Sequence, residues 1–286
     1  MNCTVCNNTG WCSNEVNGVE RVERCECWRR QVGLDLLNDA NIPARYRKCD
    51  FSTFITYPNE QLLRAVQRVK DFSDNFFQPV ENVEKGLLLI GPPGIGKTHL
   101  AISVLRNVIG EKNIRGLYFD TRSLLSTIRS TYNPVTRTSE ADILKRVMQA
   151  ELLVLDDLGA ERLTDWVEET MNLIVNTRYN DRKPTILTSN YEDVPDTDDL
   201  DSLRVRVGFR MHSRLREMCE FLEYSGPDYR DFEFKPDADD IFRRWKDQKA
   251  QPRRRLPRRT SVRARAQLKE KDGQLELGWL GGKASS

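Results

Sequence analysis

Gly86-Leu-Leu-Leu-Ile90-Gly91-Pro-Pro-Gly94-Ile95-Gly96-Lys97-Thr98 is the stretch that decides the fold. Its opening is a short, unbroken apolar run, the pattern of a strand buried on both faces, and it runs without a spacer into a glycine-rich turn. The turn satisfies G-x-x-x-x-G-K-[ST], and the spacing predicts a helix beginning near Lys97. The glycines let successive backbone N–H groups point inward, and the helix N-terminus adds partial positive charge, so the loop suits a polyphosphate. Gly91, Pro92, Pro93, Gly94, Ile95, Gly96, Lys97, Thr98 and His99 are therefore the expected nucleotide-binding residues. Lys97 is expected at the β- and γ-phosphates of ATP, and Thr98 at Mg²⁺.

A second stretch supports the first. Leu152-Leu-Val-Leu155-Asp156-Asp157 is an apolar strand ending in two carboxylates. Ligands gather at the carboxyl ends of parallel strands, which brings Asp156 toward Thr98 and gives it the magnesium as its expected partner. Asp157 then stands where a carboxylate orients or deprotonates the attacking water. Further on, Thr185-Ile-Leu187 reads as a strand running into Thr188-Ser189-Asn190, and Asn190 is expected to sense the γ-phosphate or the water. Taken alone, Asn190 also suits a turn and Asp157 a surface cap.

Around these motifs, short apolar runs alternate with helically spaced ones, the pattern of a parallel sheet with helices on both faces. Leu62, Leu63, Val66, Val69 and Phe72 mark a helix before the phosphate loop. Leu117-Tyr-Phe119 marks a strand, and Ser123 to Arg129, Glu140 to Ala150, and the series Leu163, Val167, Met171 and Ile174 mark helices. The body is α/β. No internal repeat is visible.

The chain has 286 residues, 38% hydrophobic and 31% charged, enough for one full-sized core with smaller appendages. No run approaches the roughly 18 apolar residues of a membrane span, and the N-terminus lacks the basic-then-apolar pattern of a secretory signal, so a cytoplasmic location is expected. Five of the seven cysteines fall within the first 27 residues, which favours metal ligation in a reducing compartment over disulfides. Cys3-x-x-Cys6 and Cys25-x-Cys27 supply the four thiolates of a tetrahedral structural zinc. Cys12 is a fifth thiol that could substitute, while Cys49 and Cys219 read as ordinary body residues.

Charge is distributed unevenly. From Arg243 to Lys271 there are thirteen Lys or Arg against two acids, a net +11, so the rest of the chain carries −9 within an overall +2. This tail is too poor in large apolar residues to fold alone, and it would be attracted to phosphate backbones. The expected organisation is a cysteine-rich, zinc-binding docking module over 1–49, an ATPase body over 50–232, and a short helix followed by a basic, disordered tail over 233–286.

GPPGIGKTHLA, LLVLDDLGAE, TSN, RMHSRLREMC and DYR, in this order, resemble the ATPase domain of the DnaC/DnaI helicase loaders and the related IstB transposition helpers. The resemblance spans about Ile42 to Arg230 and includes IPARYRKCDFSTF. The cysteine-bearing head is similar to that of loaders of the DnaI kind. The resemblance implies an AAA+ P-loop NTPase with a central parallel sheet flanked by helices and a lid that is absent or vestigial. It implies an arginine finger at Arg214, with Arg210 and Arg216 as alternatives, and a second arginine sensor at Arg230; an arginine fork can neutralise charge on transferring phosphate oxygens. A basic helix face turned toward the acidic run 192–201 would explain the same arginines without catalysis. Many AAA+ enzymes carry Glu where this chain has Asp157, so slow turnover, stimulated by DNA or a partner, is expected.

A finger supplied in trans implies self-association in the ATP state. The implied partners are a hexameric replicative helicase of the DnaB type, gripped by the head, and single-stranded DNA, with Arg129, Tyr132 and Arg137 as candidate contacts. Three functions remain open: helicase loader, transposition helper acting on duplex DNA, and a zinc-bearing adaptor whose nucleotide switches it with little turnover.

Overall fold

The computed structural model describes residues 3–16, 19–76, 85–132, 139–195, 199–250, 267–271 and 274–278. The chain opens with an antiparallel hairpin, β1 (Trp11–Val16) and β2 (Val19–Arg24), followed by helix α1 (Glu26–Asp39). The body then runs α2 (Glu60–Asp74), β3 (Gly86–Ile90), α3 (Lys97–Lys112), β4 (Gly116–Asp120), α4 (Thr121–Ser130), α5 (Glu140–Gln149) and β5 (Leu152–Asp156). It continues through α6 (Asp165–Asn180), β6 (Thr185–Ser189), α7 (Leu203–Val207), α8 (Phe209–Met218), β7 (Cys219–Glu223) and α9 (Ala238–Ala250).

Among the described residues, β3 to β7 form a five-stranded parallel sheet in the order β4-β5-β6-β3-β7. Alternation along each strand divides the core in two. Leu87, Leu89, Val154, Ile186 and Tyr118 face a layer built from α2, α3 and α9, while Leu88, Ile90, Leu153, Leu155 and Leu187 face α4, α5, α6 and α8. The order brings the ends of β3, β5 and β6 side by side, so the phosphate loop, Asp156 and Asn190 meet at one edge of the sheet. This is the α/β AAA+ architecture expected. After β7 and a 3₁₀ turn (Tyr229–Asp231), α9 packs back with Ile241 and Trp245 in the first core, and no fuller helical lid occurs among the described residues.

Helix starts follow ordinary capping chemistry. Asn59 Oδ1 accepts from Leu62 N at 3.4 Å, Ser139 and Asp142 form a capping box, and Thr164 Oγ1 accepts from Val167 N at 3.3 Å. That last cap places Leu163, which the spacing assigns to the helix, just ahead of α6.

Two expectations are modified. Packing continues across residue 49: Ala40 and Cys49 are buried in the first core, with Leu36 and Leu37 against it, because α1 lies along α3. Gly33 eases that approach, since a Cβ there would sit 3.1 Å from Asn113 Oδ1 and push that side chain aside by a few tenths of an ångström. The head therefore grades into the body through α1. In the tail, where composition predicts no regular structure, a short antiparallel hairpin forms from β8 (Gln267–Lys271) and β9 (Gln274–Gly278).

Candidate functional site

The phosphate loop is shaped by its glycines and by what lies beneath them. Gly94 and Gly96 take φ of 78° and 92°, in the left-handed region where a side chain is strained. At both, space is also lacking: a Cβ on Gly94 would lie 1.8 Å from Asp228 Oδ1, and one on Gly96 2.5 Å from the Phe54 ring. Lys97, at the start of α3, is buried. Its Nζ donates to Gly91 O, Pro92 O and Asn190 Oδ1, each at 2.7 Å. Burial pushes its pKa down to about 8, against the opposing pull of Asp156 and Asp157. An ammonium held by carbonyl oxygens at the floor of a glycine cradle is well suited to exchange them for phosphate oxygens.

Asp156 ends β5 and is 7% exposed. Three hydroxyls donate to its carboxylate: Thr98 Oγ1 at 2.8 and 3.1 Å, Thr188 Oγ1 at 2.6 Å and Tyr118 Oη at 2.8 Å. A carboxylate beside the loop hydroxyl, with hard oxygen donors converging, fits a hydrated magnesium. Thr188 carries a sequence signal, standing in Thr188-Ser189-Asn190 beside the expected sensor, whereas Tyr118 carries none, because it meets Asp156 only through the pairing of β4 with β5.

Asp157 follows in a left-handed conformation, φ 59°, which turns its carboxylate away from the strand and toward β6. Asn190 Nδ2 donates to Asp157 Oδ1 at 2.6 Å, while its Oδ1 accepts from Lys97. Burial, then the charge of Asp156, raises the Asp157 pKa.

A cavity of about 480 Å³ spans these groups. The phosphate side is lined by Pro93 to His99 together with Asp156, Asp157, Thr188 and Asn190; Gly91 and Pro92 contribute by holding Lys97 from below. His99 lines the cavity with its Nε2 2.9 Å from Asp50 O and 3.2 Å from Thr53 Oγ1. The far side is apolar and aromatic, with Tyr46, Phe54, Ile55, Tyr57 and Ile241. These residues extend the site beyond the motifs.

Arg230 lines the same cavity and is paired with Asp228. Arg214 does not line it: it lies along α8, with Nη1 3.3 Å from Arg210 O. Arg216 is bound within its own chain to Asp193, which also accepts from His212 Nε2 at 2.6 Å, and its guanidinium lies over the Phe221 ring. The acidic run 192–201 therefore engages Arg216, and Arg210 is exposed.

In the head, Cys3, Cys6, Cys25 and Cys27 come together, their Sγ atoms all within 4.8 Å of one another. Cys3 and Cys25 are 3.8 Å apart and Cys6 and Cys27 3.4 Å, close to the roughly 3.8 Å edge of a tetrahedron with 2.3 Å metal–sulfur bonds. The turn between the first pair and β1 uses Asn7, Asn8 and Gly10 at positive φ. This donor set fits zinc. Cys12 lies at the cluster's edge on β1 and is not one of the four; Cys49 and Cys219 are buried in the body.

Of the candidate DNA contacts, Arg129 stacks over the Trp166 ring at 4.6 Å, and Tyr132, 56% exposed, accepts from Trp166 Nε1 at 3.0 Å. Arg137 lies outside the described residues.

Comparison with known proteins bears on the family and the fold. The model of the IstB-like ATP binding protein family matches residues 36–199. YqaM of Bacillus subtilis is 27% identical over 206 residues, 68% of this chain and 61% of that protein. The phage-like element PBSX protein XkdC of the same organism is 28% identical over 223 residues, 76% and 79%. A crystal structure of the DnaC helicase loader superposes with a TM-score of 0.54 at 36% identity, covering 63% of this chain and 99% of that one. No described helix is long and apolar enough to cross a membrane. With the family model covering more than half its length, the chain belongs to the IstB-like ATP-binding proteins.

Proposed function

We propose that this chain is an ATPase that loads a hexameric replicative helicase of the DnaB type onto single-stranded DNA. The observation that carries the reading is the likeness to the DnaC helicase loader, at 36% identity over nearly the whole of that chain. Beside it stands a cysteine module, a stapled element of the kind that docks rather than catalyses.

In this reading Lys97 and the loop amides bind the phosphates of ATP, and the aromatic side of the cavity takes the nucleoside. Thr98 and Asp156 hold the magnesium, which neutralises phosphate charge when bound. Asp157, held by Asn190, orients the attacking water and accepts its proton. Arg230 leaves Asp228 for the γ-phosphate. Arg214 stands away from its own cavity and acts on that of a neighbouring copy, so hydrolysis depends on self-association. Asp157 is shorter than the glutamate usual in AAA+ enzymes, hence slow turnover stimulated by DNA or partner. Cys3, Cys6, Cys25 and Cys27 bind zinc, and metal binding supplies much of the head's folding energy.

The family model is named for IstB, which keeps a transposition helper as the second reading. Size-exclusion chromatography with light scattering, with ATP and the host's replicative helicase, separates the two. A stable ATP-sensitive complex that is lost on Cys25→Ser with Cys27→Ser supports the loader. No complex, with ATP-dependent assembly on duplex DNA, overturns it in favour of the helper; neither complex nor turnover leaves the nucleotide-switched adaptor.

A further inference from the structure

We propose that Tyr118 is a positioning residue for Asp156, orienting the carboxylate that takes magnesium; the inference rests on the reading of the cavity as a Mg²⁺–ATP site. Of the three hydroxyls that donate to Asp156, that of Thr98 belongs to the phosphate loop and is the one committed to the metal. Thr188 holds Oδ1 at 2.6 Å. Oδ2 is reached by Thr98 at 3.1 Å and by Tyr118 at 2.8 Å, so once Thr98 turns to the metal, Tyr118 is the hydroxyl left to fix this oxygen. Without it the carboxylate can rotate about its last bond, and the metal meets a less ordered oxygen.

The tyrosine is well placed for this duty. It is 3% exposed, packed in the first core with its ring 6.3 Å from that of Tyr46, so the hydroxyl has little freedom to turn elsewhere.

Its backbone is fixed as well. β4 is the outermost strand of the sheet on that side, an edge whose outward N–H and C=O groups need partners. At Tyr118 both are supplied by the turn that ends α1: Tyr118 N donates to Ala40 O at 2.9 Å, and Asn41 Nδ2 donates to Tyr118 O at 3.0 Å. Asn41 takes φ 59°, a conformation asparagine tolerates better than most residues. The helix that starts at the cysteine cluster thus ends by clamping the residue that orients Asp156.

The test is equilibrium binding of a fluorescent ATP analogue to the full chain, titrated with Mg²⁺. Tyr118→Phe is expected to leave the Mg²⁺-free affinity unchanged and to raise the Mg²⁺ concentration for half-maximal response on the order of 10-fold. Asn41→Gly, which keeps the positive φ and removes only the amide, should shift it in the same direction by less. A half-maximal Mg²⁺ concentration at the wild-type value in Tyr118→Phe, while Asp156→Asn abolishes the response, overturns the proposal and leaves the site reading intact. If Asp156→Asn keeps the wild-type response, the site reading itself fails. Should Tyr118→Phe not fold, an unchanged response in Asn41→Gly overturns the proposal.

Discussion

The Arg230 guanidinium grips the Asp228 carboxylate, Nε at 2.9 Å and Nη2 at 2.6 Å, directly over Gly94 of the phosphate loop. The cation that the proposed function gives to the γ-phosphate is thus parked on a carboxylate that itself repels phosphate. Asp228 is held low by Arg230, chiefly through their hydrogen bond. Arg230 is 56% exposed at its side chain, so the pair is worth at most about 1 kcal/mol. Asp228→Asn keeps the turn and frees the arginine; ATP affinity should tighten by a factor of about 2 to 5. Unchanged or weaker binding by calorimetry would mean that the pair does not compete with nucleotide.

Asp157 and Asn190 make a second prediction. The Asp157 pKa is raised, first by burial and then by Asp156, so the carboxylate proposed to activate water is protonated at a pH above the usual range of about 3.9. ATPase activity should therefore fall with decreasing pH along a limb centred above that value. Asp157→Asn should cost about 100-fold or more in turnover while ATP binding persists. A pH limb that survives the substitution unchanged in a residual activity would assign it to another group.

Lys97 sets the opposite limb. With its pKa pushed down to about 8 by burial, the free protein loses this charge as pH rises through 8. Bound phosphate favours the charged form, so binding must then take up a proton. Affinity for ATP should fall above pH 8, approaching a factor of about 10 per pH unit. Calorimetry in buffers of different ionisation heat checks the uptake, and Lys97→Met should abolish it.

Much of this site was legible because its chemistry is local. The phosphate loop, Asp156, Asp157 and Asn190 each sit at the end of an apolar strand, where a run of five residues and its polar terminus are adjacent in sequence. The residues missed are those that act across the fold. Tyr118 reads as one more strand residue, since its hydroxyl partner lies on another strand. The edge strand β7, Cys-Glu-Phe-Leu-Glu, mixes charge with apolar residues and gives no buried run. The hairpin β1–β2 is too polar to announce itself and takes its shape beside the four thiols. Arg178 was within reach: the helical series Val167, Met171, Ile174 continues at 178, which places this arginine on the buried face of α6.

The cysteine cluster predicts metal content. Purified protein should carry about one equivalent of zinc, released by a strong chelator together with loss of head structure. Serine at Cys3, Cys6, Cys25 or Cys27 should abolish stoichiometric zinc, while Cys12→Ser should retain it, because only the first four converge. Zinc retained in the Cys25→Ser variant but lost in Cys12→Ser would reverse that assignment.

Arg178 carries the last prediction. It is 1% exposed, and its guanidinium joins three segments: Nε donates to Thr185 Oγ1 at 2.8 Å, Nη1 to Ala150 O at 2.7 Å and Val147 O at 3.1 Å, and Nη2 to Pro184 O at 2.6 Å. These carbonyls close α5 and open β5 and β6, the strands that end in Asp156 and Ser189. Arg178→Met keeps apolar bulk but leaves the acceptors buried without donors, at about 3 kcal/mol or more in sum. The melting temperature of the nucleotide-free protein should fall by roughly 6–12 °C. Arg178→Lys should recover part of the loss, since an ammonium reaches fewer of these acceptors than the planar fork. Because the clamp sits at the opposite ends of β5 and β6 from Asp156 and Asn190, the ATP affinity of the folded Arg178→Met fraction should stay near wild type. A large loss of affinity at temperatures well below its melting point would show that the strand ends, and not only the stability of the sheet, depend on this arginine.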